Sequence, residues 1–234
     1  MNLLRRPAVA NLTQVVLTFA AAQPDLHPLL LNRFLVLAEW SGIEKIILCI
    51  NKMDLYAGDG ASFLALYEDI GYPVLRVSAH TGEGLAALRE HLCGETSVFA
   101  GPSGVGKSSL MNAIDPSLAL QTGEVSDKIK RGRHTTRVAE LLPYAGGYVV
   151  DTPGFSAMEL TELDTAVLPD CFPEFRPYLG HCRFQPCSHS HEPDCAVKAA
   201  VASGAIAEER YQAYLSILSE IKENQVIARK KEYK

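Results

Sequence analysis

The clearest chemistry in this sequence lies in one eight-residue segment. Gly101-Pro-Ser-Gly-Val-Gly-Lys-Ser108 fits the pattern G-x-x-x-x-G-K-[S/T]. In that pattern glycines let backbone N–H groups converge on phosphates, while a lysine reaches the β- and γ-phosphates and a serine binds Mg²⁺. Lys107 and Ser108 would take these two roles. The alternative is a glycine-rich turn that contains an accidental Gly-Lys-Ser.

Four residues nearer the amino terminus could recognise the base of a nucleotide. Asn51-Lys-Met-Asp54 directly follows the apolar stretch Lys45–Ile50. The Asp54 carboxylate can accept two hydrogen bonds from the N1 and N2 groups of guanine. The Asn51 amide can reach the guanine edge, and the Lys52 stem can cover the ring. Adenine cannot satisfy the carboxylate, so these residues predict strong discrimination. A strand-end turn with a capping aspartate would also explain them.

Two further motifs would complete a site for GTP. Ser78-Ala79 follows the stretch Pro73–Val77, and a backbone N–H there could meet guanine O6. Asp151-Thr-Pro-Gly154 follows another apolar stretch, so that Asp151 could bind Mg²⁺ through water and the Gly154 N–H could meet the γ-phosphate. Each motif alone could be an ordinary turn. The four together argue against coincidence and predict a GTP-binding protein.

The order of these motifs differs from that of most GTPases. Most have the phosphate loop first and the Asn-Lys-x-Asp and Ser-Ala motifs last, whereas here the last two come first. Circular permutation can preserve a site in space when the original termini lie close together. As a consequence, the segment after Gly154 leads directly into the carboxy-terminal region.

A second cluster of chemically active residues lies near the carboxy terminus. It contains four of the six cysteines and three histidines: Cys171, His181, Cys182, Cys187, His189, His191 and Cys195. In a reducing compartment such a cluster more often binds a metal than forms disulfides. A loop of reduced cysteines is the alternative.

The elements that must position these motifs follow an alternating pattern up to about residue 155. The predicted strands are Gln14–Ala20, Lys45–Ile50, Pro73–Val77, Ser97–Ala100 and Tyr148–Asp151. The helical patterns between them are Leu29–Trp40, Ala61–Ile70, Gly84–Leu92 and Ser109–Ile114. Such alternation predicts a three-layer α/β domain with a mostly parallel sheet. We expect a linker at 1–10, this domain at 11–160, and a small helical metal-binding domain at 161–234.

Composition excludes several classes of protein. With 47% hydrophobic and 21% charged residues among 234, the chain is neither a disordered tail nor a coiled-coil rod. A net charge of −5 argues against a surface coated with nucleic acid. It leaves room for a local basic run, Lys128–Arg137, which could meet RNA phosphates or be a solvated loop. Without a membrane-length apolar run or a secretory signal, we expect a soluble, cytoplasmic protein that does not bind membranes. We also expect it to be a monomer.

Taken together, the motifs resemble those of a known family, the circularly permuted ribosome small-subunit-dependent GTPase A, or small ribosomal subunit biogenesis GTPase. The segments that carry the resemblance are Pro7–Gln14, Asn51–Asp54, Gly101–Leu110, Arg131–Thr136, Asp151–Phe155 and Cys182–Cys195. The resemblance implies a P-loop GTPase domain followed by a helical zinc-binding domain. It also implies slow GTP hydrolysis that the small ribosomal subunit stimulates, binding to its rRNA, and a role late in its maturation.

The resemblance assigns residues to two sites. For GTP or GDP with Mg²⁺ they are Asn51, Lys52, Met53, Asp54, Ser78, Ala79, Gly101, Pro102, Ser103, Gly104, Val105, Gly106, Lys107, Ser108, Ser109, Asp151 and Gly154. For one structural Zn²⁺ they are Cys182, Cys187, His189 and Cys195. Three thiolates and one imidazole make a closed tetrahedral site, without an open position for catalysis. This assignment omits Cys171, His181 and His191.

The group that orients the attacking water is harder to assign. Many GTPases place a glutamine after Asp-x-x-Gly, whereas this chain has Phe155, which cannot hydrogen-bond water. His134 could orient the water, or be an exposed loop histidine. Thr135 or Thr136 could complete the Mg²⁺ shell, and their spacing does not choose between them. With Lys107, these three residues form the candidate catalytic set.

Members of the resembled family usually begin with an OB-fold, for which the residues before Gln14 leave no room. We therefore expect a fragment, a short form, or a protein with a reduced surface for its partner. The alternative function is a GTP-sensing module that binds RNA or ribosomes with negligible turnover. A P-loop kinase is disfavoured by Asn51–Asp54.

Overall fold

A mixed β-sheet forms the centre of the nucleotide-binding part of the chain. The computed structural model describes residues 12–58, 61–118, 140–151 and 160–232. Within these ranges the strands are β1 (Gln14–Ala20), β2 (Lys45–Asn51), β3 (Val74–Arg76), β4 (Thr96–Ala100), β5 (Glu140–Tyr144) and β6 (Gly147–Asp151). Their order in the sheet is β3-β2-β1-β4-β6-β5. The predicted fold class, an α/β domain with a mostly parallel sheet, is confirmed.

Burial explains why the apolar stretches form strands. All seven residues of β1 are buried, as expected for a central parallel strand that is covered on both faces. It pairs in parallel with β2 and β4, and β4 pairs in parallel with β6. Strand β5 pairs antiparallel with β6 and was not predicted. Its Pro143 interrupts the strand pattern, as is typical of an edge strand.

The helices of the described ranges are α1 (Pro28–Trp40), α2 (Ala61–Ile70), α3 (Leu85–Leu92), α4 (Lys107–Ile114), α5 (Ala196–Ala202) and α6 (Glu208–Glu232). Helices α3 and α4 cover one face of the sheet through a cluster of buried residues that includes Leu88, Leu110, Val16, Phe99 and Val149. In the part of the chain that the structure describes, a helix with the length and apolar character to cross a membrane is not found.

The chain divides into two compact units. The first, here the nucleotide unit, contains residues 1–27 and 43–158, and the second, here the carboxy-terminal unit, contains residues 28–42 and 159–234. Helix α1 thus belongs to the carboxy-terminal unit, although the sequence analysis counted it with the nucleotide-binding domain. Ion pairs join its Arg33 to Glu220 at 2.8 Å and its Glu39 to Arg176 at 2.6 Å.

A fully buried arginine lies at the centre of the carboxy-terminal unit. Arg210 has no exposed surface and donates two hydrogen bonds to the Glu174 carboxylate, at 2.5 and 3.2 Å. It also donates to Asn32 Oδ1 of α1 and lies 4.6 Å from the centre of the Phe172 ring. Removing one partner of such a buried charge costs about 3–5 kcal/mol. The arginine therefore links α1 firmly to α6.

Candidate nucleotide site and metal centre

The predicted nucleotide motifs follow strands that run parallel. The loop 101–106 follows β4, Asn51 ends β2, Ser78 lies shortly after β3, and Asp151 ends β6. Ligand sites of parallel α/β sheets lie at the carboxyl ends of the strands, because these ends meet at one edge. The fold therefore brings the motifs to one edge of the sheet.

Two glycines of the phosphate loop are required by close approaches of other residues. Gly101 has a φ of +147°, and a Cβ there would lie 2.0 Å from the backbone oxygen of Thr18 in β1. Gly106 has a φ of +91°, and a Cβ there would lie 2.5 Å from Asn51 Nδ2. A side chain at either position would therefore displace β1 or Asn51.

Lys107 is the first residue of α4, and its ammonium group lies within the loop. It donates hydrogen bonds to the carbonyl oxygens of Gly101, at 2.8 Å, and Pro102, at 2.7 Å. Ser108 and Ser109 follow in the first turn of the helix, whose N-terminal N–H groups favour anions. The loop thus combines a positive side chain with a helix N-terminus.

Asn51 connects two loops of the site. Only 1% of its surface is exposed, its Nδ2 donates to the Val105 carbonyl at 2.9 Å, and its Oδ1 accepts from the Ala79 N–H at 3.1 Å. The predicted contacts of Asn51 and of the Ser78-Ala79 turn with guanine stay predictions, and the structure adds this direct bond between the two motifs. Asn51 thereby fixes the distance between the phosphate loop and the Ser78-Ala79 turn.

The remaining residues of the Asn-Lys-x-Asp motif have backbone and side-chain partners of their own. Lys52 has a φ of +61°, and its ammonium donates to the carbonyl oxygens of Gly104, at 2.7 Å, and Gln23. The Met53 N–H donates to Val77 O, and the Ser78 hydroxyl donates to Asp54 Oδ1 at 2.5 Å. These bonds hold the Asp54 carboxylate at the carboxyl end of β2.

The contacts of Asn51 lead to a prediction. Asn51→Ala removes both hydrogen bonds, from the partly buried Ala79 N–H and to the carbonyl of buried Val105, and a buried group left without its partner costs about 1–3 kcal/mol. We expect GTP and GDP to bind at least about tenfold more weakly, since 1.4 kcal/mol corresponds to a factor of ten. Titration with a fluorescent guanine nucleotide measures this.

Thr18→Ala is the matched control for this prediction, because Thr18 contacts the phosphate loop through its backbone oxygen, which the substitution retains. Its nucleotide affinity should stay close to wild type. Equal affinities of wild type and Asn51→Ala would contradict the bridging role.

The predicted metal ligands come together in the carboxy-terminal unit. The ligand atoms of Cys182, Cys187, His189 and Cys195 all lie within 4.8 Å of one another. The Sγ atoms of Cys182 and Cys195 are 3.7 Å apart, and His189 Nδ1 lies 3.5 and 3.3 Å from them. A tetrahedron with Zn–S bonds of about 2.3 Å has edges of about 3.8 Å, so the arrangement fits zinc bound through Nδ1.

The surroundings of these residues also suit a metal. Burial lowers the pKa of His189, which favours the neutral imidazole that metals require. Cys171 lies outside the cluster, and its thiol contacts the Val167 carbonyl at 3.7 Å. Burial raises the pKa of Cys171 to about 12, so it remains a thiol.

Several predicted residues lie outside the described ranges. These are His134, Thr135, Thr136, Gly154 and the basic run Lys128–Arg137. Asp151 ends β6, where the structure describes only its backbone.

Sequence reasoning missed the partners that act through their backbone. The carbonyl oxygen of Thr18 lies close to Gly101, and that of Gln23 accepts from the Lys52 ammonium. Any residue type can supply a backbone carbonyl, so the sequence gives no sign of such contacts. It also gave no role to Glu192, although this residue lies in the quoted segment Cys182–Cys195 and contacts the loop of His189.

The chain is similar to several known proteins. The family described as RsgA GTPase matches residues 1–161. The small ribosomal subunit biogenesis GTPases RsgA of Alkaliphilus metalliredigens and Geobacillus thermodenitrificans are 48% and 50% identical to this chain over 221 and 226 residues. These matches cover 94% and 95% of this chain and 75% and 77% of the two relatives.

Two solved structures are also similar. YjeQ from Thermotoga maritima has a TM-score of 0.79 and 42% identity, covering 94% of this chain and 75% of that one. YloQ, described as a circularly permuted GTPase, has a TM-score of 0.76 and 39% identity, covering 94% of this chain and 71% of that one.

Proposed function

Since this chain belongs to the RsgA GTPase family, we propose that it binds GTP with Mg²⁺ at the edge of the sheet described above, hydrolyses the GTP, and acts in the biogenesis of the small ribosomal subunit. The observation that carries the nucleotide site is the bridge that Asn51 forms between the phosphate loop and the Ser78-Ala79 turn. It joins, within one unit, the residues that would hold the phosphates and those that would hold the base.

Each residue of the site has a physical role in this proposal. Asp54 accepts hydrogen bonds from guanine and makes the site selective. The Lys107 ammonium stabilises negative charge that develops on the β- and γ-phosphate oxygens during phosphoryl transfer. Ser108 and Asp151 hold Mg²⁺, which neutralises phosphate charge when bound, and the Gly154 N–H meets the γ-phosphate. His134 orients the attacking water, and Thr135 or Thr136 completes the Mg²⁺ shell.

We further propose that the Cys182 cluster binds one structural Zn²⁺ per chain. Four protein ligands leave no coordination position for a substrate, so the metal stabilises the fold and takes no part in hydrolysis. A metal that binds the folded unit and not the unfolded chain would add its binding free energy to the stability of the carboxy-terminal unit.

The partner in this proposal is the small ribosomal subunit and its rRNA. Relatives of this chain carry that subunit in their names. The run Lys128–Arg137 contains five basic residues and no acidic one, which suits RNA phosphates. The protein would act in the cytoplasm, as a monomer, where the subunit matures.

One residue favours a second candidate function. Phe155 replaces the glutamine that orients water in many GTPases. A protein that binds GTP and the subunit but turns over negligibly would be a sensor of GTP. Single-turnover hydrolysis with and without small subunits separates the two, because only the GTPase shows stimulated turnover. His134→Ala should lower this stimulated rate more than it lowers docking.

The proposed function predicts that docking depends on the nucleotide. Binding to purified small subunits, measured by cosedimentation, should be tighter with a non-hydrolysable GTP analogue than with GDP, because the γ-phosphate and Mg²⁺ would hold Thr135, Thr136 and the backbone at Gly154 in one conformation. Arg131→Ala combined with Arg133→Ala should weaken docking about tenfold or more. The slope of the logarithm of the binding constant against the logarithm of the salt concentration should become shallower by about two, roughly one for each lost phosphate contact.

Arg76→Ala is the control for this experiment. Arg76 is a cation of the nucleotide unit that pairs with Glu68 at 2.7 Å, away from the basic run in sequence. Its loss should leave docking unchanged. Equal affinity for subunits in the GDP and GTP-analogue states would show that the switch is absent.

A further inference from the structure

The backbone at His189 has an unfavourable conformation that neighbouring groups must maintain. Its φ is +52°, in the left-handed region, which residues other than glycine seldom adopt. This conformation directs Nδ1 toward Cys182 and Cys195. A relaxed backbone would turn the imidazole away from the thiols, so whatever holds this conformation also holds the ligand.

The Glu192 carboxylate bonds to the residues on both sides of His189. Its Oε1 accepts from the Ser188 N–H at 2.8 Å and from the Ser188 hydroxyl at 2.7 Å. Its Oε2 accepts from the Ser190 N–H at 3.1 Å. One carboxylate therefore closes the loop around His189 with three hydrogen bonds, two of them from the backbone.

Helix α6 holds the same loop from another side. The Tyr211 hydroxyl donates to the His189 carbonyl at 2.9 Å, and the Tyr214 hydroxyl donates to the Ser188 carbonyl at 2.7 Å. The tyrosines therefore fix where the loop lies, whereas the carboxylate engages its N–H groups and constrains its curvature. His189 itself is only 4% exposed, so contacts with protein groups, and not with water, hold its side chain in place.

We propose that Glu192 is a positioning residue for the metal centre, which keeps His189 in the conformation that binds the metal through Nδ1. This inference rests on the metal site in the proposed function. A neighbouring carboxylate shows the contrast: Asp194 is next to the ligand Cys195, but its side chain is 60% exposed and pairs with Arg183 at 2.8 Å. Both acidic residues therefore lie near a metal ligand in the sequence, but of the two Glu192 is the one whose carboxylate bonds to the loop around His189.

The first test compares metal affinities of the full chain. Competition with a chromophoric chelator should show Zn²⁺ bound about 10–100-fold more weakly by Glu192→Ala, the range typical of outer-shell partners. Glu192→Gln should lie between, because its amide oxygen can still accept from Ser188 while its NH₂ group faces the Ser190 N–H. Asp194→Asn is the matched control and should bind Zn²⁺ as wild type does.

A spectroscopic readout separates positioning from a general loss of stability. Co²⁺ in place of Zn²⁺ reports ligand type and geometry through its visible absorption. Glu192→Gln loaded with Co²⁺ should show bands shifted toward those of His189→Ala, because the imidazole ligand is partly lost. Wild-type bands in Glu192→Gln, together with wild-type Zn²⁺ affinity in Glu192→Ala, would overturn the inference.

A double-mutant cycle tests whether Glu192 acts through His189. In a His189→Ala background, Glu192→Ala should change Zn²⁺ affinity by no more than about twofold, the limit expected when the interaction has already been removed. A full additional loss would show that Glu192 stabilises the unit independently of the ligand and would overturn the inference. A wild-type chain without bound metal in elemental analysis would overturn the metal site itself, and the inference with it.

Discussion

Asp54→Asn should weaken GTP binding by about 100-fold or more and shift the preference of the site toward xanthine nucleotides. Guanine presents N–H donors at N1 and N2, and the carboxylate accepts both. Asparagine places an NH₂ donor opposite one of them, which leaves two donors facing each other and a lost charge-assisted bond. Xanthine carries a carbonyl oxygen at C2, where guanine carries its amino group, and this oxygen can accept a hydrogen bond from the asparagine NH₂ group. Competitive titration of GTP against xanthosine triphosphate measures both changes.

The contacts of Asp54 make this substitution specific. The Ser78 hydroxyl that donates to Asp54 Oδ1 can also donate to an asparagine oxygen, so the local bond can survive. Asp69→Asn, at an exposed carboxylate on α2, is the control and should bind GTP as wild type does. If Asp54→Asn kept wild-type GTP affinity, Asp54 would not be the residue that selects guanine.

Cys187→Ser should remove the metal and unfold much of the carboxy-terminal unit. Metal binding in small structural sites contributes roughly 10 kcal/mol or more to folding, and this is comparable to the whole stability of a domain. The loss of one of the three thiolates leaves three of the four ligands and opens the site, which weakens metal binding strongly. Elemental analysis should show less than one Zn²⁺ per chain, and the thermal unfolding of this unit should occur at a much lower temperature.

Cys93→Ser controls for the loss of a thiol. Cys93 is exposed in the nucleotide unit and contacts the Ala145 carbonyl at 3.5 Å, so its replacement should leave metal content unchanged. Chelation of wild type should reproduce the effect of Cys187→Ser. A chelated protein with an undiminished melting temperature would refute a structural role for the metal.

The sequence predicted the elements best where both faces are buried. Strand β1 and helix α2 have the predicted bounds, since a continuous apolar run or a helical spacing of apolar residues leaves little choice. Strand β5 was missed because an edge strand needs one apolar face only, and Pro143 breaks the pattern. Helix α1 was recognised as a helix, but not as part of the carboxy-terminal unit. Its Asn32 bonds to Arg210, which lies 178 residues away in the sequence.

At the two sites, the residue types predicted which chemistry is possible, but they did not predict which residues contact one another. The four metal ligands were chosen from a set of seven cysteines and histidines by resemblance to a family, and the structure brings these four together. For Asn51, the motif indicated an amide near guanine, which stays a prediction, and it gave no sign that this amide also joins two loops. Contacts of this kind depend on where distant loops meet, which one sequence does not reveal.

The membership of α1 in the carboxy-terminal unit has a consequence for protein synthesis. Helix α1, whose Leu31 and Leu35 are buried, leaves the ribosome early, but Arg210, the partner of its Asn32, is translated much later. At about 5–20 residues per second, 178 residues correspond to roughly 10–35 s of waiting. During this time the sheet can form from residues up to 151, while Asn32 and Arg33 of α1 wait for their partners on α6 and the helix must not join a wrong surface. A chain that stops before α6 could still form the Glu39–Arg176 pair but would lack Arg210 and Glu220, so premature termination near the carboxy terminus should yield an aggregation-prone product rather than a merely shortened one.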